Sequence, residues 1–241
     1  MSKVLLSDLI WMIIPIISVY YIYYRWNDDK ITIPYALTRM LLQLVLIGYV
    51  LTYIFDTKEF THIVGVLTIM LLVASFIAMR PVAKKDKNLY LLSFISISIG
   101  GIITLGFIIG AVLDLSTWYE PRYIIPLAGM IFANAMNSVS VGAERFESEY
   151  EKVKNYKIAR NHAYKASLIP NINSLFAVGL VSIPGMMTGQ ILSGISPLVA
   201  VKYQIMVMVM ILSSSGISTA IYLKLIQNSY INKALERNSL P

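Results

Sequence analysis

The chain has 241 residues, 57% of them hydrophobic and only 14% charged, with mean hydropathy +0.68. A soluble globular domain is normally nearer half apolar and a quarter charged, so this composition indicates a membrane protein. Cysteine is absent, which removes any disulfide framework or thiolate metal site, and the net charge of +7 is first to be weighed against loop placement rather than against a nucleic-acid partner.

A bilayer crossing takes about 20 apolar residues. Seven stretches qualify in chain order, 4–24, 34–55, 62–79, 89–113, 123–142, 171–193 and 198–223, which predicts an all-α polytopic membrane protein of about seven transmembrane helices. The first shows no long basic region and no small-residue cleavage signal before Tyr24 and Arg25, so it reads as a retained span. The second carries Arg39 and Gln43, and the fifth carries Asn134, Asn137 and two serines; both must face protein or water. Arg39 sits about one turn inside its span and can snorkel to the headgroups.

Loop charge supplies an orientation. With the 80–88 loop cytoplasmic, that side collects sixteen basic residues and the other keeps four, Lys3, Lys58, Arg122 and Lys202. The positive-inside rule then predicts the N-terminus outside and the C-terminus inside, and accounts for the basic charge with no nucleic acid. The whole of 1–241 reads as one transmembrane domain, with 226–241 a cytoplasmic tail.

The one substantial polar segment is "AERFESEYEKVKNYKIARNHAYKASL", 143–168. Its acids precede its bases, as a helix dipole favours, and Phe146, Tyr150 and Val153 keep helical spacing. This predicts a cytoplasmic helix continuing the fifth span, either a solvated face or a docking element.

No phosphate-cradling glycine loop followed by lysine occurs, nor H-E-x-x-H, and neither His62 nor His162 lies deep in a span. No Asp, Glu or His is deep in any span, so the usual proton relay and carboxylate cation site are lacking. An enzyme is disfavoured. Softer groups remain as pathway candidates. Asn134 and Asn137 share a face of the fifth span with Met130, Met186, Met187 and Gln190 project from a disturbed turn in the sixth, and Gln204, Met208 and Ser215 share a face of the last. Each is equally readable as helix packing, and the run "SSSGIST" (213–219) as close packing or a hydrated path. Pro184 removes a backbone donor and predicts a kink or break, beside a small-residue ridge at Gly185, Gly189 and Ser193 suited to close helix approach.

The stretches "RMLLQLVLIGYVLTYIF" (39–55), "YIIPLAGMIFANAMNSVSVG" (123–142), "AVGLVSIPGMMTGQILSGISPLVAVKYQIMV" (177–207) and "ILSSSGIST" (211–219) together resemble the FetB-type (YbbM-like) permease family, the membrane subunits of an iron-exporting ABC transporter. The resemblance runs from about Arg39 to Thr219. It implies a permease without its own ATPase, paired as a homodimer of permeases with two FetA-type ATP-binding subunits. ATP and Mg would sit on those partner subunits, with no cofactor on this chain. The family is associated with metal-ion export and iron or oxidative-stress homeostasis, and plant relatives with aluminium tolerance and sugar-nucleotide transport. Position before "ASLIP" (166–170) carries the ATPase-coupling role to Tyr156, Lys157, Arg160, His162 and Lys165. Bacterial members are expected to have a longer segment there with a Gly-Ala turn, whereas 143–165 is short and has no glycine. The cargo stays open, because iron(II) is usually held by carboxylate, imidazole or water and no span offers a buried acid or histidine. A non-transporting scaffold and an ATPase-independent facilitator are the rival readings.

Overall fold

The computed structural model describes residues 8–57, 59–83, 86–113, 117 and 119–238, with side chains described as far as Gln227. All regular elements among them are helical. The chain divides into two compact units, Met1–Thr57 and Lys58–Pro241.

In the first unit, a 3-10 turn at Asp8–Met12 leads into α1 (Ile13–Asn27). Asp28 ends α1 in the left-handed conformation (φ 51°), its N–H donating to Tyr24 O. The Asp29 carboxylate then accepts from the N–H groups of Ile31 and Thr32 at 2.9 and 3.0 Å, starting α2 (Thr32–Thr57). One carboxylate thereby satisfies two donors that a helix start leaves orphaned.

The second unit holds α3 (Phe60–Ala78), α4 (Lys87–Phe107) with a π-helical turn at Ile108–Val112, α5 (Pro121–Val153), α6 (Tyr156–Ala177), α7 (Gly185–Leu192) and α8 (Pro197–Asn238). Asp86 caps α4 by accepting from Asn88 N–H, and Pro121 opens α5, where its missing donor costs nothing. Among the described residues, six helices are long and apolar enough to cross a membrane: Asp8–Asn27, Thr32–Phe55, Phe60–Ala78, Lys87–Val112, Pro121–Val153 and Pro197–Gln227.

The core of this unit is a close junction of α4, α5 and α8. Gly100 of α4 lies so near Ser218 of α8 that a Cβ there would come within 2.9 Å of the Ser218 backbone nitrogen, and one at Gly142 of α5 would be 2.8 Å from Thr219 Cγ2. Such helices meet at small residues because lipid tails provide no hydrophobic drive between them. Gly101 of α4 faces Phe132 and Ile131 of α5, and Ser93 donates to Ser75 O on α3.

These contacts fix the helix directions. Gly142 beside Thr219 and a common end make α5 and α8 parallel, while Asn171 to Ser138, His162 to Glu149 and Tyr156 to Leu223 make α6 antiparallel to both. The chain must therefore return across the bundle between Val153 and Pro197. The stretch 171–193, expected as a span kinked or broken at Pro184, does not make that return as one helix. Ser167 lies level with Gly142, and Ala177, ten residues on, is only about 15 Å further, whereas Pro197 is 22 residues before Thr219, roughly 33 Å of α8. The sixth passage is thus discontinuous: α6, an irregular break at 178–184, the eight-residue α7 and a turn.

Candidate functional site

The break forms because the end of α6 is satisfied locally. Ala177 O accepts from Leu180, Val181 and Ser182 N–H at 3.3, 2.8 and 3.1 Å, and Gly179 takes φ +85°, a conformation that disfavours side-chain-bearing residues. Pro184 stands not in mid-helix but at the N-cap of α7, with extended backbone and its carbonyl accepting from Thr188 N–H at 3.0 Å. The expected interruption is present, but glycine geometry stops one helix and proline starts the next.

Gly185, Gly189 and Ser193 are exposed, and a Cβ on either glycine would meet open space. The small-residue ridge packs against nothing among the described residues of this chain. Met186, Met187 and Gln190 are half-buried, and α7 packs on α8 through the turn at Ser193–Ser196. Gln190 Oε1 and, on α8, Gln204 Oε1 are both shielded from solvent and without a hydrogen-bond partner; Gln204 is 5% exposed. Unpaired amide oxygens in a bundle interior are costly and call for a donor or a cation. Met208, one turn on, is half-buried.

Asn134 and Asn137 separate in environment. Asn134 is half-buried and donates to Met130 O at 2.8 Å, whereas Asn137 is exposed and has no hydrogen-bond partner among the described residues. Asn171, which the sequence reading did not single out, donates across to Ser138 Oγ at 3.2 Å and ties α6 to α5. The adjacent "PNIN" (170–173) was the available signal, an amide pair inside an apolar run. Deep in the junction, the hydroxyls of Ser215, Ser218 and Thr219 are buried and unpaired.

At the other end, α5 extends unbroken to Val153. It stops at Lys154, left-handed at φ 53°, and Asn155 at once caps α6 through Ile158 N–H. The segment 143–168 is thus two helix arms joined by a tight elbow, not one continuing helix, because a left-handed residue followed by an Asn cap reverses the chain. Tyr156 Oη donates to Leu223 O on α8 at 2.6 Å, and its ring meets Phe146 edge-on at 5.7 Å. Burial pushes the Tyr156 hydroxyl above its usual range, so it stays a donor. Arg160 lies 5.9 Å over that ring and donates to Asn161. His162 Nδ1 is 3.0 Å and Arg145 2.8 Å from the two oxygens of Glu149. The hydrogen bond with His162, with help from Arg145, holds the Glu149 carboxyl below its ordinary value. Lys157 and Lys165 are exposed. The 80–88 loop belongs to the same end: Ala83 N–H donates to Glu147 and Tyr222 Oη to Met79 Sδ. Arg80, Lys87, Arg145, Lys152, Lys154, Lys157, Arg160, Lys165 and Lys224 therefore gather at one end, against Arg122 and Lys202 towards the other.

Among the described residues no group of three or more His, Cys, Asp or Glu could hold a metal ion. The helices, their composition and the comparisons that follow identify a multi-pass membrane protein. A family model described as an uncharacterised protein family (UPF0014) matches residues 6–156 and 153–231. The chain is 34% identical over 226 residues to the UPF0014 membrane protein slr1647 of Synechocystis, covering 87% of each chain. It is 35% identical over 218 residues to the "Probable iron export permease protein FetB" of Escherichia coli, covering 83% of this chain and 82% of that one. It is 30% identical over 217 residues to "Protein ALUMINUM SENSITIVE 3" of Arabidopsis thaliana, covering 84% and 78%. No solved structure matches the chain. With the family model spanning both units and the relatives matched over most of their own length, the chain belongs to the UPF0014 family.

Proposed function

We propose that this chain is the permease subunit of an ABC transporter of the plasma membrane, exporting metal ions, iron first among them, with ATP and Mg bound and ATP hydrolysed on a separate FetA-type subunit. The reading draws on the similarity to the FetB relative and on one structural observation, the discontinuous passage α6–α7 beside the unpaired oxygens of Gln190 and Gln204. Broken helices are tolerated at membrane depth where they line a cavity or pack on protein, and alternating access needs an element with two arrangements.

Two copies pair as a homodimer. The basic end faces the cytoplasm, leaving the N-terminus outside, and the α5–α6 elbow receives the ATP-binding subunit on Tyr156, Lys157, Arg160, His162 and Lys165. Neutral amide oxygens and thioethers at Gln190, Gln204, Met186, Met187 and Met208 favour a cation passing with part of its shell intact over one stripped and held by carboxylates.

The test is ATPase activity of the neighbouring nucleotide-binding protein in liposomes with and without this chain, titrating iron(II), other divalent metals and sugar nucleotides. Stimulation that requires this chain and responds to iron(II) is the expected result. Stimulation by a sugar nucleotide alone would reassign the cargo, and no mutual effect would overturn the reading in favour of a scaffold or facilitator.

A further inference from the structure

In a membrane bundle a helix hydroxyl commonly bonds the carbonyl one turn back, and Thr68, Ser75 and Thr104 do so, donating to Val64, Leu71 and Gly100 O at 2.8, 2.7 and 2.7 Å. Three neighbouring hydroxyls on α8 depart from that pattern. Ser215, Ser218 and Thr219 are fully buried, and none has a hydrogen-bond partner among the described residues. Hydroxyls on the adjoining helices are committed elsewhere: Ser96 donates to Ser93 O, Ser167 donates to Tyr164 O, and Ser138 accepts from Asn171. A buried hydroxyl without a partner is costly, so a run of three points to groups that pair in another setting.

Between Gly100 and Ser218 there is no room for a water to supply the missing bond. A Cβ on Gly100 of α4 would already lie 2.9 Å from Ser218 N and 3.1 Å from its Cα, with Ser218 Oγ nearer still. On α5, Gly142 admits Thr219 as closely, and Tyr164 Oη of α6 stands 3.2 Å from where a Cβ on Gly216 would be. Three helices thus shut on α8 at 216–219. The closure lies between the basic end and the unpaired amides. Thr219 is about one turn from Leu223, whose carbonyl receives Tyr156 of the elbow, and Ser215 is about three turns from Gln204 on the same face of α8.

We infer that this junction is the cytoplasmic gate of the cation path, shut in this structure, and that the Ser215, Ser218 and Thr219 hydroxyls meet the water shell of the passing cation once α8 draws away from Gly100 and Gly142. The inference rests on the permease reading above and deepens it by naming the gate and the groups that line it. Each hydroxyl both donates and accepts, so it can exchange hydrogen bonds with a hydrated ion, and without charge it does not trap one. The glycines let the helices seal backbone to backbone. Tyr156 grips α8 about one turn below the seal, so a movement of the elbow reaches the gate along one rigid helix.

The chain has no cysteine, so S215C and T219C report on the gate without background. S75C serves as a buried reference away from the gate, and K224C as an exposed one. Inverted vesicles holding each variant with the ATP-binding partner are treated with a membrane-impermeant thiol reagent without nucleotide, with ATP and a partner that cannot hydrolyse it, and during turnover. The expected result is a labelling rate at S215C and T219C that differs at least about tenfold between two of these states, with S75C slow and K224C fast in all. Rates that do not change with nucleotide state, in vesicles whose parent chain accumulates iron(II), overturn the gate, as does an equal change at S75C. No accumulation by the parent chain with its partner overturns the permease reading itself. A second variant, S215A/S218A/T219V, loses no hydrogen bond in the closed gate, so it should melt no lower than the parent and accumulate iron(II) at least about tenfold more slowly. A lower melting temperature, or unchanged accumulation, overturns the proposal.

Discussion

Substituting Gly100 by alanine tests whether the α4–α8 contact is as close as the structure has it. A methyl carbon there would lie 2.9 Å from the Ser218 backbone nitrogen and 3.1 Å from its Cα, with Ser218 Oγ nearer still. Van der Waals contact needs about 3.5 Å or more, so the helices must part by roughly half an ångström to an ångström. Overpacking of this kind costs about 1–3 kcal/mol, while alanine gains about 1 kcal/mol over glycine in helix propensity. Gly65, inside α3 with nothing within 4 Å of its Cβ position, isolates the second effect. The difference between G100A and G65A is then the overpacking itself, and for a chain of this size it lowers the melting temperature by roughly 2–10 °C. Thermal denaturation of both variants in one detergent reads it directly. Adding S218A to G100A should recover only part of the loss, because the backbone atoms remain in place. A G100A protein as stable as G65A would refute the close junction.

Gln204→Leu removes a buried amide whose oxygen is unpaired, so it should stabilise the solubilised protein by about 1–3 kcal/mol while reducing transport; unchanged transport would take Gln204 off the path. Tyr156→Phe deletes the hydrogen bond to Leu223 O, and should cost about 0.5–1.5 kcal/mol in denaturation and speed proteolysis at the α5–α6 elbow. The Glu149 carboxyl is depressed on folding, so its contribution is fully present above the ordinary value of 4.5 and is lost as pH falls through the lower folded value. Glu149→Gln should therefore flatten the fall of melting temperature as pH drops below 4.5, and an unaltered acid limb would argue against the contact with His162. Gly189→Leu meets open space within the chain, so the monomer should insert and fold normally; a loss of transport would then report a contact outside it.

The apolar runs were long enough to reveal six of the helices, because a continuous hydrophobic stretch has few alternatives to a crossing helix, but α5 and α8 run on past the expected span ends at 142 and 223, to Val153 and Asn238. The sixth passage was harder to read. Run length cannot distinguish a continuous helix from two short ones, and α6 begins inside the charged segment, at Tyr156, rather than at 171. Pro184 attracted attention as the breaker, yet Gly179 with φ +85° closes α6 first, and a proline then suits the start of α7. The elbow at Lys154–Asn155 was hidden for a related reason: a left-handed lysine has no compositional signature, and the Asn cap was legible only in hindsight. Asn134 and Asn137 looked equivalent by spacing, and only packing shows one half-buried and bonded to the backbone, the other exposed. Burial of Gln204 with an unpaired oxygen likewise depends on helices distant in sequence.

The most direct test of the account is iron(II) accumulation by inverted membrane vesicles containing this chain, its ATP-binding partner, or both. The account predicts ATP-dependent accumulation only when both are present, abolished when the partner cannot hydrolyse ATP. Accumulation by this chain alone without ATP, or none with both chains and ATP, would contradict it.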